Sequence, residues 1–324
     1  MRELIIGKND AGQRLDKFIT KTLEIPISLL YKSIRLKKIK VNRKRAENNT
    51  VLKEGDTIQC FLAEEFFARL DNKDIGDISL GKIQTHLSII YEDENIMLLN
   101  KRPGVSVHED GDGAINTLIT HIQAYLFQKG EYNPDSEQSF APALCNRIDR
   151  NTGGIVIAAK NAEALRVMNE KIKLREIDKF YLAAVHGIPN PECATIKGFL
   201  LKDENNNLVK IWDRNAPKGA KEIITKYKVI AKKGELSLIE VELLTGRTHQ
   251  IRAHMAFIGH PLLGDGKYGI NKADKAKGYK YQALYSYKLK FSFKGDPTCL
   301  EYLNGKEFSI PKNEIYFTKD FFEK

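Results

Sequence analysis

The apolar runs of this chain are strand-length, and they are not interleaved regularly with helical stretches. "GIVIAAK" (154–160), "KFYLAAVHG" (179–187), "IITKYKVIAKKGELSLIEVELL" (223–244) and "LYSYKLKFSF" (284–293) read as strands, as do two short runs around the acidic turn of "LSIIYEDENIMLLNK" (87–101). Only "TLITHIQAYLFQK" (117–129) and "NAEALRVMNEKIKLREI" (161–177) have helical spacing among them, the second opened by Asn161 with Glu163 in its first turn. Strands that outnumber helices without alternating with them predict an α+β fold with a mixed, mainly antiparallel central sheet and flanking helices. No window approaches 18 apolar residues, so no membrane span is expected.

The first part of the chain has a different texture. Residues 13–62 read as a small α+β unit. "QRLDKFITKTL" sets Leu15, Phe18, Ile19 and Leu23 on one helical face. "ISLLYKSIRLKKI" predicts a second helix with Ser28 as its N-cap and Leu29, Ile34 and Ile39 turned inward. Short strands follow, with a turn at Glu54-Gly55-Asp56 before "TIQCFL". The polar stretch from Ala63 to about Lys82 reads as a linker or edge extension. The expected division is therefore 1–62, a linker over 63–85, and 86–324.

The formal charge is +10, which favours a polyanionic partner, most often nucleic acid, through long-range attraction and counterion release. The charge is locally concentrated: "KKIKVNRKR" places Lys37, Lys38, Lys40, Arg43, Lys44 and Arg45 in nine positions, and Lys32 and Arg35 precede them. Such a run is either a solvated face or a track for phosphates. Four scattered cysteines, Cys60, Cys145, Cys193 and Cys299, fit neither a disulfide framework nor a zinc site, and a reducing cytoplasm is the expected compartment. The opening "MRELIIGKND" is too weakly apolar for a signal peptide.

Three further stretches could carry chemistry. In "CNRIDRNTGG" (145–154) a single acid, Asp149, lies between Arg147 and Arg150. On an extended chain Arg147 and Asp149 project to one face and Arg150 to the other. Flanking guanidinium groups would keep the carboxylate ionised, which suits a nucleophile better than a general acid. Thr152-Gly153-Gly154 would let backbone approach a large planar ligand. The other reading is an ordinary ion pair at a strand entrance.

"TGRTHQIRAHMAFIGHPLLGDGKYG" (245–269) packs Arg247, His249, Gln250, Arg252, His254 and His260 into a short span. His249 and His254 are five apart, roughly 140° around a helix, unlike helical zinc pairs. The cluster is either a polar core network or a groove for phosphate and base edges. In "DKFYLAAVHG" (178–187), Lys179 and Tyr181 share a strand face, where packing is the ordinary role of a tyrosine.

Two resemblances connect these stretches. "RLDKFI", "SLLYKSIRLKKIKVNRKR" and "LKEGDTI" resemble, in order and spacing, the RNA-binding module named after ribosomal protein S-four, over residues 13–62. "NKRPGVSVH" (100–108), "NRIDRNTGGIVIAAKN" (146–161), "KFYLAAVHG" and "GRTHQIRAHMAFIGHPLLGDGKYG" (246–269) resemble, in order, the RluA-type pseudouridine synthases, over about 86–290.

The second resemblance implies a mixed, mainly antiparallel sheet with a central RNA-binding cleft, and isomerisation of uridine within ribosomal or transfer RNA without metal or organic cofactor. It implies that Asp149 is the catalytic aspartate, as nucleophile or as stabiliser of a glycal-like path. Arg147 would fill the gap left by the flipped uridine, Tyr181 would stack on the base and is a candidate for handling the proton at carbon 5, and Arg252 would ion-pair with the aspartate. Arg247, His249 and Gln250 would bind substrate. Lys32, Arg35 and the basic run would contact RNA backbone. A duplex hides the glycosidic bond, so the nucleotide must be extruded unless it is already single-stranded. The chain departs from the family pattern at Asn146, usually His, and Ile148, usually Leu.

The appended N-terminal module is most like members that act on large-subunit ribosomal RNA. The expected partner is accordingly ribosomal RNA, with transfer RNA as the alternative and monomer as the expected state. A non-catalytic RNA-binding assembly factor on the same scaffold would retain the binding surface and leave Asp149 dispensable.

Overall fold

In the computed structural model, residues 1–23, 25–71, 80–108, 116–203, 206–269 and 271–322 are described. Contacts group them into two compact units: Met1–His86 with Ile119–Ala143 and Ala159–Arg166, and Leu87–Leu118 with Leu144–Ala158 and Val167–Lys324.

In the first unit, strands β1 (Arg2–Ile5), β2 (Ile39–Val41), β3 (Lys44–Arg45) and β4 (Thr57–Cys60) form an antiparallel sheet in the order β1-β4-β2-β3. Helix α1 (Leu15–Leu23) buries Leu15, Phe18, Ile19 and Leu23 on the face that the spacing predicts. Helix α2 (Ile27–Arg35) differs from the expectation in three ways. Pro26 occupies the N-cap, with its φ of −57° suited to a helix entrance, so Ser28 lies inside the first turn. Leu30 and Ile34 are buried, while Leu29 is only half-buried. The helix also ends before Lys37, which takes a left-handed φ of 60°, while the Lys38 N–H donates to the Ser33 carbonyl at 2.9 Å. Ile39 is buried, but from β2.

All these buried side chains join one core that includes Ile58, Cys60 and Phe67. Phe67 comes from a 3₁₀ turn, Glu64–Phe67, within the stretch expected to link the domains, and α3 (Ala68–Asp71) follows it. Residues 72–79 of that stretch lie outside the described residues. In the same unit Asn9 donates to Glu137 at 2.6 Å and Gln13 to Ser139 at 2.8 Å. Helix α4 is Leu118–Gln128.

The second unit is built on a sheet. Its strands are β5 (Ile89–Glu92), β6 (Ile96–Lys101), β7 (Ala143–Leu144), β8 (Gly153–Ala159), β9 (Ile177–His186), β10 (Cys193–Asp203), β11 (Leu208–Trp212), β12 (Lys221–Lys233), β13 (Leu236–Leu243), β14 (Leu284–Phe291) and β15 (Glu307–Ser309). The main path runs β11-β10-β12-β13-β9-β14-β8-β6-β5. Among the described pairings only β8–β14 is parallel. This is the mixed, mainly antiparallel sheet the sequence predicts. Strands β10 and β11 carry no clear sequence signal, because exposed polar positions and Gly198 interrupt β10 and β11 is five residues long.

The central strand β8 is buried along its whole length, which explains its unbroken apolar run. Helix α5 (Ala162–Lys173) opens as expected: the Asn161 side chain accepts from the Ala164 N–H at 2.9 Å. Helix α6 (Gln250–Phe257) is held by Ala253, which packs into a cluster with Leu200, Val209 and Ile223 from β10, β11 and β12. Short helices α7 (Asn271–Ala276) and α8 (Lys319–Phe322) complete the chain. Among the described residues no helix is long and apolar enough to cross a membrane.

Candidate active site

Asp149 sits on the loop that enters β8, and the sheet brings the other candidates to it. Tyr181 on β9 pairs in register with Ser286 on β14, and Ser286 pairs with Gly154 on β8. One cross-strand row thus joins the tyrosine to the strand that the Asp149 loop enters. The approach is close. A Cβ on Gly154, whose φ is 112°, would lie 2.1 Å from the Ser286 carbonyl oxygen, and one on Gly153 would lie 2.3 Å from the Tyr285 ring. The Gly-Gly pair therefore serves packing of β8 against β14, and this corrects the expectation that it makes room for a planar ligand.

The charge partner of Asp149 is also not the one its sequence neighbours suggest. Arg147 is exposed and makes no hydrogen bond or ion pair with a described residue, and Arg150 donates from Nε to the Gly104 carbonyl at 3.1 Å. Arg252 on α6 takes the role that the resemblance implies. Its Nη1 donates to Asp149 Oδ2 at 2.7 Å, while Nε and Nη2 grip Asp265 bidentately at 2.7 and 2.8 Å. Asp265 is fully buried. Burial pulls its carboxyl upward, but the hydrogen bonds and charge of Arg252 outweigh that and hold it below its ordinary value. Burial likewise opposes the Arg252 charge, and the two carboxylates more than offset it, so the guanidinium is firmly ionised.

The Asp149 carboxylate is 26% exposed, whereas Arg252 and Tyr181 are buried. Its Oδ2 carries the ion pair, and its Oδ1 makes no hydrogen bond with a described residue. One oxygen is anchored and one is available.

His249 lies on the same side. It begins α6 in a left-handed conformation (φ 54°), with Nε2 4.0 Å from Asp149 Oδ2 and Nδ1 3.0 Å from the Tyr268 hydroxyl. Burial, only partly opposed by the Asp149 charge, pushes its pKa down to about 4, so the ring is neutral at pH 7. The Tyr268 hydroxyl accepts from the Val209 N–H at 2.9 Å and is also hydrogen-bonded to His249 Nδ1.

Burial raises the Tyr181 phenol to about 12, with the Asp149 charge acting in the same direction. At neutral pH it is a phenol, able to stack and to donate. Lys179 is on the same strand, half-buried, with its pKa lowered by burial.

The rest of the histidine-rich stretch divides between groove and core. Arg247 is exposed. Gln250 is buried, and its amide is committed to the Thr245 hydroxyl (2.9 Å), the Ile224 carbonyl (3.1 Å) and the Thr225 hydroxyl (3.1 Å). His254 is bonded to the same Thr225 at 2.9 Å. Gln250 and His254 form the polar core network of one reading, while Arg252 and His249 lie beside Asp149.

One residue of the site escaped the sequence reading. Lys101, at the end of β6, is buried, and its ammonium donates to the carbonyls of Arg102 (3.1 Å), Val105 (2.9 Å) and Arg150 (2.9 Å). With the Gly104 N–H donating to the Arg150 carbonyl at 2.9 Å, it fastens the Asp149 loop to the 101–105 turn. Burial lowers its pKa to about 7, against an upward pull from Asp149. The block "NKRPGVSVH" contained the signal, but a lysine that bonds backbone carbonyls leaves no spacing pattern. Asn146, the departure from the usual His, also secures this loop. Its side-chain oxygen accepts from the Ile157 N–H at 2.7 Å and pins the loop to β8.

The expected RNA-contacting residues are in the first unit. Lys32 and Arg35 are exposed on α2, Lys37, Lys38 and Arg43 are exposed in turns, and Lys44 and Arg45 are exposed on β3. Lys40 on β2 is half-buried, with its ammonium 5.4 Å from the Phe61 ring centre.

Residues 95–257 match the family model described as RNA pseudouridylate synthase. A ribosomal large subunit pseudouridine synthase C of Buchnera aphidicola is 36% identical over 281 residues, covering 84% of this chain and 82% of that protein. The protein of the same description from Vibrio parahaemolyticus is 32% identical over 276 residues, with 84% and 82% covered. In fold, human RNA pseudouridylate synthase domain containing 4 superposes with a TM-score of 0.53 at 21% identity, over 69% of this chain and 87% of that one. The family match and these relatives define an enzyme that isomerises uridine in RNA. The chain belongs to the RNA pseudouridylate synthase family.

Proposed function

We propose that this synthase acts on large-subunit ribosomal RNA and that Asp149 performs the chemistry. The observation that carries the second part is the state of the carboxylate: Oδ2 is held by Arg252, while Oδ1 is unbonded among the described residues on a partly exposed side chain. A carboxylate oriented in this way is suited to attack, or to stabilise positive charge at, C1′ of a uridine. The N1–C1′ bond breaks, the uracil rotates, C5 bonds to C1′, C5 loses its proton and N1 gains one. Tyr181, as a neutral phenol, supplies a ring to stack on the base. Arg252 orients the carboxylate, and the neutral His249 lies beside it, with Nε2 4.0 Å from Oδ2. Arg147 and Arg247, both exposed, are free to meet the flipped nucleotide's surroundings.

Ribosomal RNA is supported by the descriptions of the bacterial relatives and by the charge of +10. The division into an RNA-binding module (1–62), a linker (63–85) and a catalytic domain (86–324) is supported by a core in the first unit drawn from residues 4–67, which also reaches into the linker at Phe67. We take the protein to work as a cytoplasmic monomer without metal or cofactor.

The substrate is tested with transcripts tritiated at uridine C5. Formation of the C5–C1′ bond releases tritium to water, so release from large-subunit ribosomal RNA and not from transfer RNA is expected. Release from transfer RNA alone would replace the proposed substrate.

A further inference from the structure

In the first unit an open cavity of about 660 Å³ lies between α2 and the segment that follows β3. Its size is in the range of small-molecule and nucleotide sites. Its floor includes the buried Ile34 and Ala46, and its rim carries Tyr31, Lys32, Arg35, Arg45, Glu47 and Asn48. Lys32 and Arg35 are three apart on α2 and so project to one side, with Arg45 contributed by β3. None of these three cations makes an ion pair or hydrogen bond with a described residue, although Glu47 shares the cavity. Unneutralised cations beside an available carboxylate favour a ligand that brings its own anion for the cations and its own donors for the carboxylate.

Tyr31 supplies the third part. Its ring is 41% exposed, yet it is tethered: the hydroxyl donates to Asp16 Oδ2 at 3.2 Å, and Asp16 is buried and clamped by Arg14, whose Nε donates to Oδ1 at 3.1 Å. Burial pulls the Asp16 carboxyl upward, but the bonds from Arg14 and Tyr31 outweigh it and leave it below its ordinary value. The aromatic face is held in place before any ligand arrives, which reduces the ordering cost of binding.

We propose that this cavity is a reader for one unpaired nucleotide of the RNA. The base stacks on Tyr31, its phosphates lie on Lys32, Arg35 and Arg45, and its Watson–Crick edge meets Glu47 and Asn48. An acceptor-only carboxylate selects a base that presents N–H donors, and guanine presents two adjacent ones, N1–H and the N2 amine. The ligand is therefore a bulged or looped guanosine. This inference rests on the reading that the chain acts on RNA. It adds to backbone tracking a position where the module distinguishes an unpaired base from duplex.

The test uses the full chain and RNA hairpins that contain no uridine, so the Asp149 site has nothing to convert. Anisotropy is measured for a perfect stem and for stems with one bulged G, A or C. Wild type is expected to bind the G bulge at least about tenfold more tightly than the perfect stem, the range that stacking on an aromatic side chain supplies. Tyr31→Ala should remove that preference, Tyr31→Phe, which keeps the ring and loses the Asp16 tether, should weaken it without removing it, and Glu47→Gln should bring G down to the level of A and C. Equal binding of stem and bulges by wild type overturns the proposal without recourse to any variant. So does Tyr31→Ala retaining the preference, and so does polyglutamate displacing the G-bulge RNA at comparable charge concentration, which would point to an acidic protein instead. Tritium release from ribosomal RNA, measured in parallel, reports on the synthase reading separately. Release without bulge preference removes the reader alone, and bulge preference without release removes the proposed substrate alone.

Discussion

Arg252 reaches Asp149 with one nitrogen at 2.7 Å while its other edge is locked to Asp265. The Asp149 carboxylate is thus positioned by a guanidinium that is itself positioned by a fully buried acid. A lysine at 252 could keep the charge but could not span both carboxylates. Charge-assisted hydrogen bonds of this kind contribute about 1.5–3 kcal/mol. Arg252→Lys should therefore lower kcat roughly 10- to 100-fold in single-turnover tritium release, with a smaller effect on KM.

Asp265→Asn acts one step further away. It leaves Arg252 buried with half its counter-charge, and breaking a buried pair in this way costs about 3–5 kcal/mol. The expected result is a lower midpoint in urea unfolding, together with slower tritium release from the protein that remains folded.

Gly154→Ala combines an unfavourable φ of 112° with a Cβ 2.1 Å from the Ser286 carbonyl oxygen, a backbone atom with little freedom to retreat. Destabilisation of more than about 2 kcal/mol is expected in urea unfolding. A variant of unchanged stability would mean that the β8–β14 crossing is looser than described.

The strands of the second unit were readable from the sequence because β8 carries an unbroken apolar run at 154–159 and β12 alternates buried with exposed positions. The grouping of Asp149, Tyr181 and Arg252 was accessible only through the family resemblance, since 103 positions separate the ion-paired Asp149 and Arg252. Local reading erred where neighbours in sequence are not neighbours in space. Arg147 and Arg150 flank Asp149 and do not bind its carboxylate. The glycines of 153–154 answer to β14, and Lys101 acts through backbone carbonyls. At Ser28 a local rule misled in another way, because Pro26 had already started the helix.

Lys101 gives the site a pH signature. Its ammonium is displaced from the ordinary 10.5 to about 7 by burial. Between these values the unfolded chain holds the extra proton, so this group's contribution to stability rises with pH through that window and is complete above it. Lys101→Met should remove this part of the pH dependence. It also leaves the Arg102 and Val105 carbonyls without the Lys101 donor, at about 1–3 kcal/mol for each one that stays buried, while the Arg150 carbonyl keeps the Gly104 N–H. Thermal melts from pH 6 to 10 compare the two proteins.

The buried imidazoles of His249 and His254 act at the acid end. Each is displaced from 6.5 to about 4, mainly by burial. The unfolded chain binds their protons first, so their stabilising effect is complete above pH 6.5 and is lost as pH falls toward 4. Wild type should lose stability over that interval. His254→Gln should flatten the dependence, whatever it does to absolute stability.

Asp149→Asn bears on the chemistry itself. The substitution keeps the size of the side chain and removes its charge and nucleophilicity. Wild type and variant are each incubated with unmodified large-subunit ribosomal RNA, and pseudouridine is mapped by carbodiimide-dependent reverse-transcription stops. New stops are expected with wild type and none with a variant that is folded and still binds RNA. Stops at the same positions and at a similar rate with Asp149→Asn would contradict a catalytic role for this carboxylate.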